Sequence, residues 1–365
     1  MLATSLSRTP RSQRGFGIVE IMVGVVIGLL ALLIIYRGLA LSEGYRRTTT
    51  AGGDAQSAGM ISTFVLAQDI SNAGNTIADT APDLLNCPNT GSFATTWRPI
   101  PVLITDGGAD NVSDEISVFY GVSRRLVTQV DTRVNAAPND PFQVQSPLAW
   151  SAGNRFVVTS RNPAPHCDMS VVTAVAGPDA IGVVTLTHTG TVNSYLQPAW
   201  IVNLGPQDNV RKAHYAIAAE TLTVDNLLDG APPTPVTSNV VLFKAQYGID
   251  TSVPPDNMID TWVSARAAPW TPADVLGANE AQLRRIKAVR VAMIVRSSQF
   301  ERGKDAEGQA VTGGATAGIT NLLLFPCNGL PGCTGELDVT IASTANFRYR
   351  VFEQVVPLRN QIWNP

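Results

Sequence analysis

The sequence predicts an α+β protein: a long N-terminal α-helix, apolar in its first half, packed on a mainly antiparallel β-sheet domain. Three observations predict it. From Ile18 to Tyr36 the only charged residue is Glu20, a run matching the roughly 20 apolar residues that cross a bilayer as a helix. No proline occurs between Pro10 and Pro82, so the helix can continue from Phe16 to about Ala73. Beyond it Glu and Lys are sparse while Gly, Pro, Thr and Val are plentiful, a composition of strands and turns.

The N-terminal segment carries the most information. Arg8, Arg11 and Arg14 precede the apolar run with no acidic residue among them, which puts the leader in the cytoplasm and the rest across the membrane. A cleaved secretory signal would have a shorter apolar core followed by a small-residue cleavage site, whereas here Gly15 precedes the core. An ordinary signal anchor accounts for the arginines and the length but not for Glu20. A carboxylate in a membrane helix costs about 2.5–3.5 kcal/mol at the helix centre and less near an interface, so Glu20 calls for a cationic partner.

Gly15-Phe16-Gly17-Ile18-Val19-Glu20 resembles the class III signal of type IV pilins and type II secretion pseudopilins. The resemblance implies cleavage between Gly15 and Phe16 by a prepilin peptidase and N-methylation of Phe16. It places Glu20 at the fifth mature position, where the family's glutamate neutralises the amine of a neighbouring subunit. Pairing is what makes a buried charge tolerable. Many pilins carry a proline some way into the mature helix; here that region reads Tyr36-Arg37-Gly38.

The middle of the helix, Gly44 to Gly53, is weak, with arginines, threonines and a Gly-Gly pair. A helical phase returns at Ile61, Phe64, Val65, Leu66 and Ile70, predicting an apolar face around Phe64 laid on the sheet. A membrane helix, a linker and a separate domain helix are the alternative. Ala78 to Pro101 reads as a loop pinned by Cys87. Strands are expected at Glu115–Tyr120, Arg155–Thr159, Ile181–Thr187, Ala199–Val202 and Asn239–Gly248. Thr271-Pro272 opens a brief helix to about Leu283, with proline in its first turn. In Ala288–Ser297, Val289, Val291, Met293 and Val295 alternate with Arg290, Ala292, Ile294 and Arg296, one face apolar and the other mixed. Gly303–Gly318 reads as a mobile loop, and Phe347–Phe352 as the last strand. With no internal repeat and no long low-complexity linker, one globular domain follows the helix.

Without the leader, 23 Lys+Arg stand against 29 Asp+Glu, a side-chain balance of −6. This gives no electrostatic footprint for broad nucleic-acid binding. Four cysteines lie beyond the membrane segment, and an even count in an oxidising compartment favours disulfides. Three pairings exist; the turn-rich loop between Cys327 and Cys333 favours a local bridge, leaving Cys87 with Cys167. His166-Cys167 is adjacent rather than spaced, and His188 and His214 are isolated, against zinc. The acidic turn with Asp106, Asp110 and Asp114 has oxygens for calcium but not EF-hand spacing, and the same residues serve a turn entering a strand.

Ala67-Gln68-Asp69-Ile70-Ser71-Asn72-Ala73-Gly74, Val289 to Ser297 and Val356-Pro357-Leu358-Arg359-Asn360 resemble the PilW family of minor pilins, and more distantly the J-type pseudopilins. The region from about Asn75 to Val236 carries hardly any of the resemblance. Gly-x-Ser-x-Gly, His-Glu-x-x-His, the phosphate loop and the dinucleotide glycine motif are all missing, so an enzyme is not expected. Arg290, Arg296, Arg348 and Arg350 raise DNA as a ligand, but a solvated strand face accounts for them equally. The resemblance implies a type IV pilin-like fold with leader 1–15, helix 16–73 (membrane-spanning and polymerising over 16–36) and globular domain 74–365. It implies a minor pilin that primes pilus assembly and sits at the tip, supporting twitching motility, with a type II secretion pseudopilin as the alternative. Its partners would be other minor pilins, the major pilin, the prepilin peptidase and the inner-membrane assembly platform, with no cofactor. The chain would sit single-pass in the inner membrane, N-terminus cytoplasmic, before entering the pilus.

Overall fold

The computed structural model describes residues 15, 17–77, 82–88, 98–123, 129–145, 149–160, 165–298, 303–304, 310–311, 319, 321–327, 334–341 and 347–362. Helix α1 runs Ile18–Asn72 without a break. By contacts the chain forms two compact units, residues 1–51 and 52–365. In the first, Ile18–Leu39 is long and apolar enough to cross a membrane, and none of its most apolar window is buried.

In the second unit the strands are β1 Val102–Thr105, β2 Glu115–Tyr120, β3 Val130–Asp131, β4 Phe142–Val144, β5 Asn154–Ser160, β6 His166–Ala176 and β7 Val184–Thr189. They continue as β8 Trp200–Pro206, β9 Arg211–Ala218, β10 Thr221–Asn226, β11 Thr234–Ser238, β12 Val240–Ile249 and β13 Thr261–Val263. Two short helices follow, α2 Pro272–Gly277 and α3 Glu280–Leu283. The chain closes with β14 Ile286–Arg296, β15 Gly303–Lys304, β16 Ala310–Val311, β17 Leu322–Leu324, β18 Leu337–Val339, β19 Tyr349–Pro357 and α4 Arg359–Ile362.

Three antiparallel sheets carry the unit, ordered β1-β2-β9-β10-β11, β13-β12-β14-β19 and β3-β8-β5-β6-β7-β4. The main core lies among the second half of α1 and the first two sheets: Leu66, Ile70 and Ala73 meet Ile116, Val118 and Tyr215 on one side and Phe243, Val289 and Met293 on the other. The third sheet has its own core around Phe142, Phe156 and Tyr195. A smaller cluster of Leu84, Phe119, Val157, Val202 and Leu204 joins it to the first sheet.

Three expectations need correction. Phe64 and Ile61 do not face the core: they are 69% and 51% exposed. The buried row is Ala55, Gly59, Ser62, Leu66, Ile70 and Ala73, a faultless i, i+3, i+4 stripe. Its first half is small, so the backbone approaches closely; a Cβ built on Gly59 would lie 2.0 Å from the Phe352 ring. The large apolar residues gave the wrong phase because close packing, not bulk, selects the inner face. Likewise the mixed face of β14, Arg290, Ala292, Ile294 and Arg296, is covered rather than solvated. Ala292 and Ile294 are buried beneath the β17–β18 ribbon with Leu242, Leu324 and Val339.

The expected helix from Thr271 to Leu283 is two. Thr271 caps α2 with a reciprocal Thr271–Asp274 box, and Asn279 caps α3. Of the expected Gly303–Gly318 loop, only the paired β15 and β16 lie within the described residues.

Candidate assembly site

Gly17 accepts the first two backbone bonds of α1, from Glu20 N at 3.0 Å and Ile21 N at 3.2 Å. Glu20 therefore occupies the first helical turn, where the macrodipole favours a carboxylate. Its side chain is exposed, and no described residue is paired with it. Ile18 to Tyr36 surround it with exposed apolar side chains, Ile18 at 79% and Ile34 at 70%. An uncovered apolar helix bearing one unpaired acid is a surface that water does not suit. Gly15 stands before it; Phe16, the expected new terminus, lies outside the described residues.

The second unit is tied to its part of α1 by Asp69, which accepts from the Tyr120 and Tyr215 hydroxyls at 2.8 and 2.7 Å. Burial, then the Asp69 charge, raises both phenols. Cys87 and Cys167 form a disulfide inside the cluster that joins the first and third sheets. Cys327 is also disulfide-bonded; Cys333 lies outside the described residues.

The acidic turn is held by the chain's own cations. Asp106 and Asp110 pair with Arg266 at 3.1 and 2.9 Å. Asp114 is fully buried against Lys244, whose ammonium also donates to the Ala109 and Val112 carbonyls. His214 bridges Glu115 and Asp225, and His188 stacks on Phe142. Among the described residues no group of three or more His, Cys, Asp or Glu is placed to hold a metal.

The strand arginines do not make a common phosphate-binding face. Arg290 is buried between the Trp262 and Phe325 rings, with Gln246 accepting from its guanidinium, while Arg296 pairs with Glu220 over Phe347.

A 720 Å³ cleft opens beside Tyr120, Asn154, Asn203, Asn209 and Arg211, and a 490 Å³ cleft beside Asn86, Arg98, Thr159, Ser160 and Asn279. Sequence reasoning passed over Arg98 and Lys212, both buried. Burial pushes Arg98 down to about 10 and Lys212 down to about 7. Nothing in their neighbours' pattern announces this, because the elements that cover them come from distant sequence.

Two family models match the chain: the prokaryotic N-terminal methylation motif over residues 10–36 and type IV pilus-assembly protein W over residues 207–360. These matches support a PilW-like type IV pilin. No curated protein and no solved structure matches it. The PilW-like match begins in β8–β9 territory and takes in β12, β14 and β19, the sheet that backs α1. The methylation motif covers the apolar helix and Glu20. Together they support a type IV pilus-related minor pilin, membrane-anchored through its N-terminal helix and made to contact other pilins and their assembly machinery. Both matches point to a structural pilus-assembly protein.

Proposed function

We propose that this chain is a minor pilin that assembles with other minor pilins to prime type IV pilus assembly and stays at the pilus tip, supporting twitching motility. The precursor comprises leader 1–15, helix 16–73 and globular domain 74–365. Its leader stays in the cytoplasm and its helix crosses the inner membrane once. A prepilin peptidase cuts between Gly15 and Phe16, and Phe16 is then methylated. In the fibre, Glu20 pairs with the terminal amine of an adjacent subunit, a minor pilin or the major pilin, as the assembly platform lifts the helix from the bilayer. A Cys327–Cys333 bridge closes the local loop beside Cys87–Cys167.

One observation carries the reading: the bare apolar helix holds a single acid in its first turn, directly behind the Gly15-Phe16 junction. Burying that acid among packed apolar helices is tolerable only when a cation meets it, so its pairing sets subunit register.

The test is intact mass and N-terminal sequencing of the chain expressed with and without a prepilin peptidase. A mature chain beginning at methylated Phe16 is expected. An uncut chain retaining Met1, with the peptidase active on a known pilin, refutes the reading.

A further inference from the structure

Strand β19 closes the second sheet, with β14 on one side and, among the described residues, no strand on the other. Its nine residues, Tyr349–Pro357, make it the longest edge of the three main sheets; β1, β3, β4, β11 and β13 have two to five. Two flanking hydrogen bonds, Ser297 N to the Arg348 carbonyl at 2.7 Å and Leu358 N to the Lys287 carbonyl at 2.8 Å, fix which residues face β14. Ladder bonds alternate along an antiparallel strand, so Arg350, Phe352, Gln354 and Val356 turn their backbone groups to β14. Val351, Glu353 and Val355 turn theirs outward, where no described residue pairs with them.

An open edge is normally blunted by a bulge, a proline, a lysine or a covering element. β19 pairs with β14 in unbroken register from Tyr349 to Pro357, contains no lysine, and meets proline only at its last residue. It is also uncovered: Val351 is 38% and Val355 54% exposed. Phe352 and Val356 turn to the core with α1, so Val351, Glu353 and Val355 share the other face. That row reads apolar, acidic, apolar. A strand added beside it finds outward N–H and C=O groups to bond, and favours apolar, basic, apolar side chains opposite the three. A second copy of β19 does not supply them. The antiparallel register that sets Val351 against Val355 also sets Glu353 against Glu353, and like charges directly opposite are destabilising.

We propose that the outer edge of β19 is a docking surface for an extended strand of another pilin, which continues the β13-β12-β14-β19 sheet across the subunit boundary. This contact rests on the minor-pilin reading and gives the second unit its own means of choosing a neighbour. The incoming strand has apolar side chains opposite Val351 and Val355 and a basic one opposite Glu353.

The test places the photo-cross-linker benzoylphenylalanine at Val351 or at Val355 of the full chain, in cells that make the prepilin peptidase and the other pilins. Both positions should label one segment of one other pilin, at sites about four residues apart, because the two positions lie about 13 Å apart along a strand. A helix would need about nine residues for that span. Val351→Pro removes one outward N–H and leaves the β14 ladder intact, so it should lower cross-linking from residue 355 about tenfold. Val355→Lys changes only an exposed side chain and should do the same to cross-linking from residue 351. An uncut chain retaining Met1 overturns the pilin reading and this contact with it. With the chain cut at Gly15 in piliated cells, three results overturn the contact alone: no cross-link from either position, cross-links at helical spacing or on a second copy of this chain, or both variants labelling like wild type.

Discussion

Replacing Lys244 by methionine removes the cation paired with Asp114 while keeping the length of the side chain. Both side chains are 1% exposed, so water cannot enter to take the place of the ammonium. Truncating one partner of a buried pair costs about 3–5 kcal/mol, because the other charge is left uncompensated. Asp114 keeps two backbone donors, Gly107 N at 3.0 Å to Oδ1 and Ala245 N at 2.9 Å to Oδ2, which places the expected loss near the lower limit, about 3 kcal/mol. For a unit of this size that is a fall in Tm of about 6 °C. The double variant Lys244→Met, Asp114→Asn buries no charge and should recover about 1–2 kcal/mol of the deficit. Burial raises the Asp114 carboxyl and Lys244 opposes the rise. Without the lysine the folded pKa climbs further above its unfolded value. The folded state then binds a proton the unfolded state does not, so the deficit of Lys244→Met shrinks as pH falls from 7 towards 5. Urea unfolding at both pH values measures each term. A single variant within about 1 kcal/mol of wild type, or a deficit that grows on acidification, refutes the argument.

Three further outcomes follow from other parts of the second unit. Cys87→Ser opens a disulfide that closes a loop of sequence separation 80; chain entropy sets the loss at about 4.5 kcal/mol, read as a lower urea midpoint and as proteolytic nicking between the first and third sheets. Gly59→Ala drives a methyl into the Phe352 ring and should cost about 1–3 kcal/mol, partly relieved by Phe352→Leu, with circular dichroism checking that α1 stays helical. Burial lowers the pKa of His188, although its Nε2–H donates to the Asp140 carbonyl at 2.9 Å. A depressed histidine takes up its proton on unfolding, so its contribution is intact above the unfolded value of about 6.5 and is lost as pH falls below it. Tm measured from pH 7.5 to 5 should decline less steeply in His188→Phe than in wild type.

What could be seen in the sequence was whatever one segment determines by itself. The apolar helix and the strands at β2, β5, β12 and β14 each carry their own period and their own breakers, and the structure has them within a few residues. The inner face of α1 was not visible that way. Ala55, Gly59 and Ser62 are weak signals one at a time and gain meaning only against Phe352, almost 300 residues on. Strand β6 hid for a related reason: His166, Asp168, Ser170 and Thr173 break the apolar pattern, yet Asp168 is buried and satisfied by Val192 N, Asn193 N and the Tyr195 hydroxyl. The same logic separates two kinds of charge. Glu20 could be found in the sequence because a membrane-length helix makes any charge conspicuous, whatever its neighbours are. Arg98 could not, because an arginine after a loop looks solvated until α2 and the β1-β2-β9 sheet close over it. A charge is read from sequence when its environment is local, and only from the fold when its environment is assembled at long range.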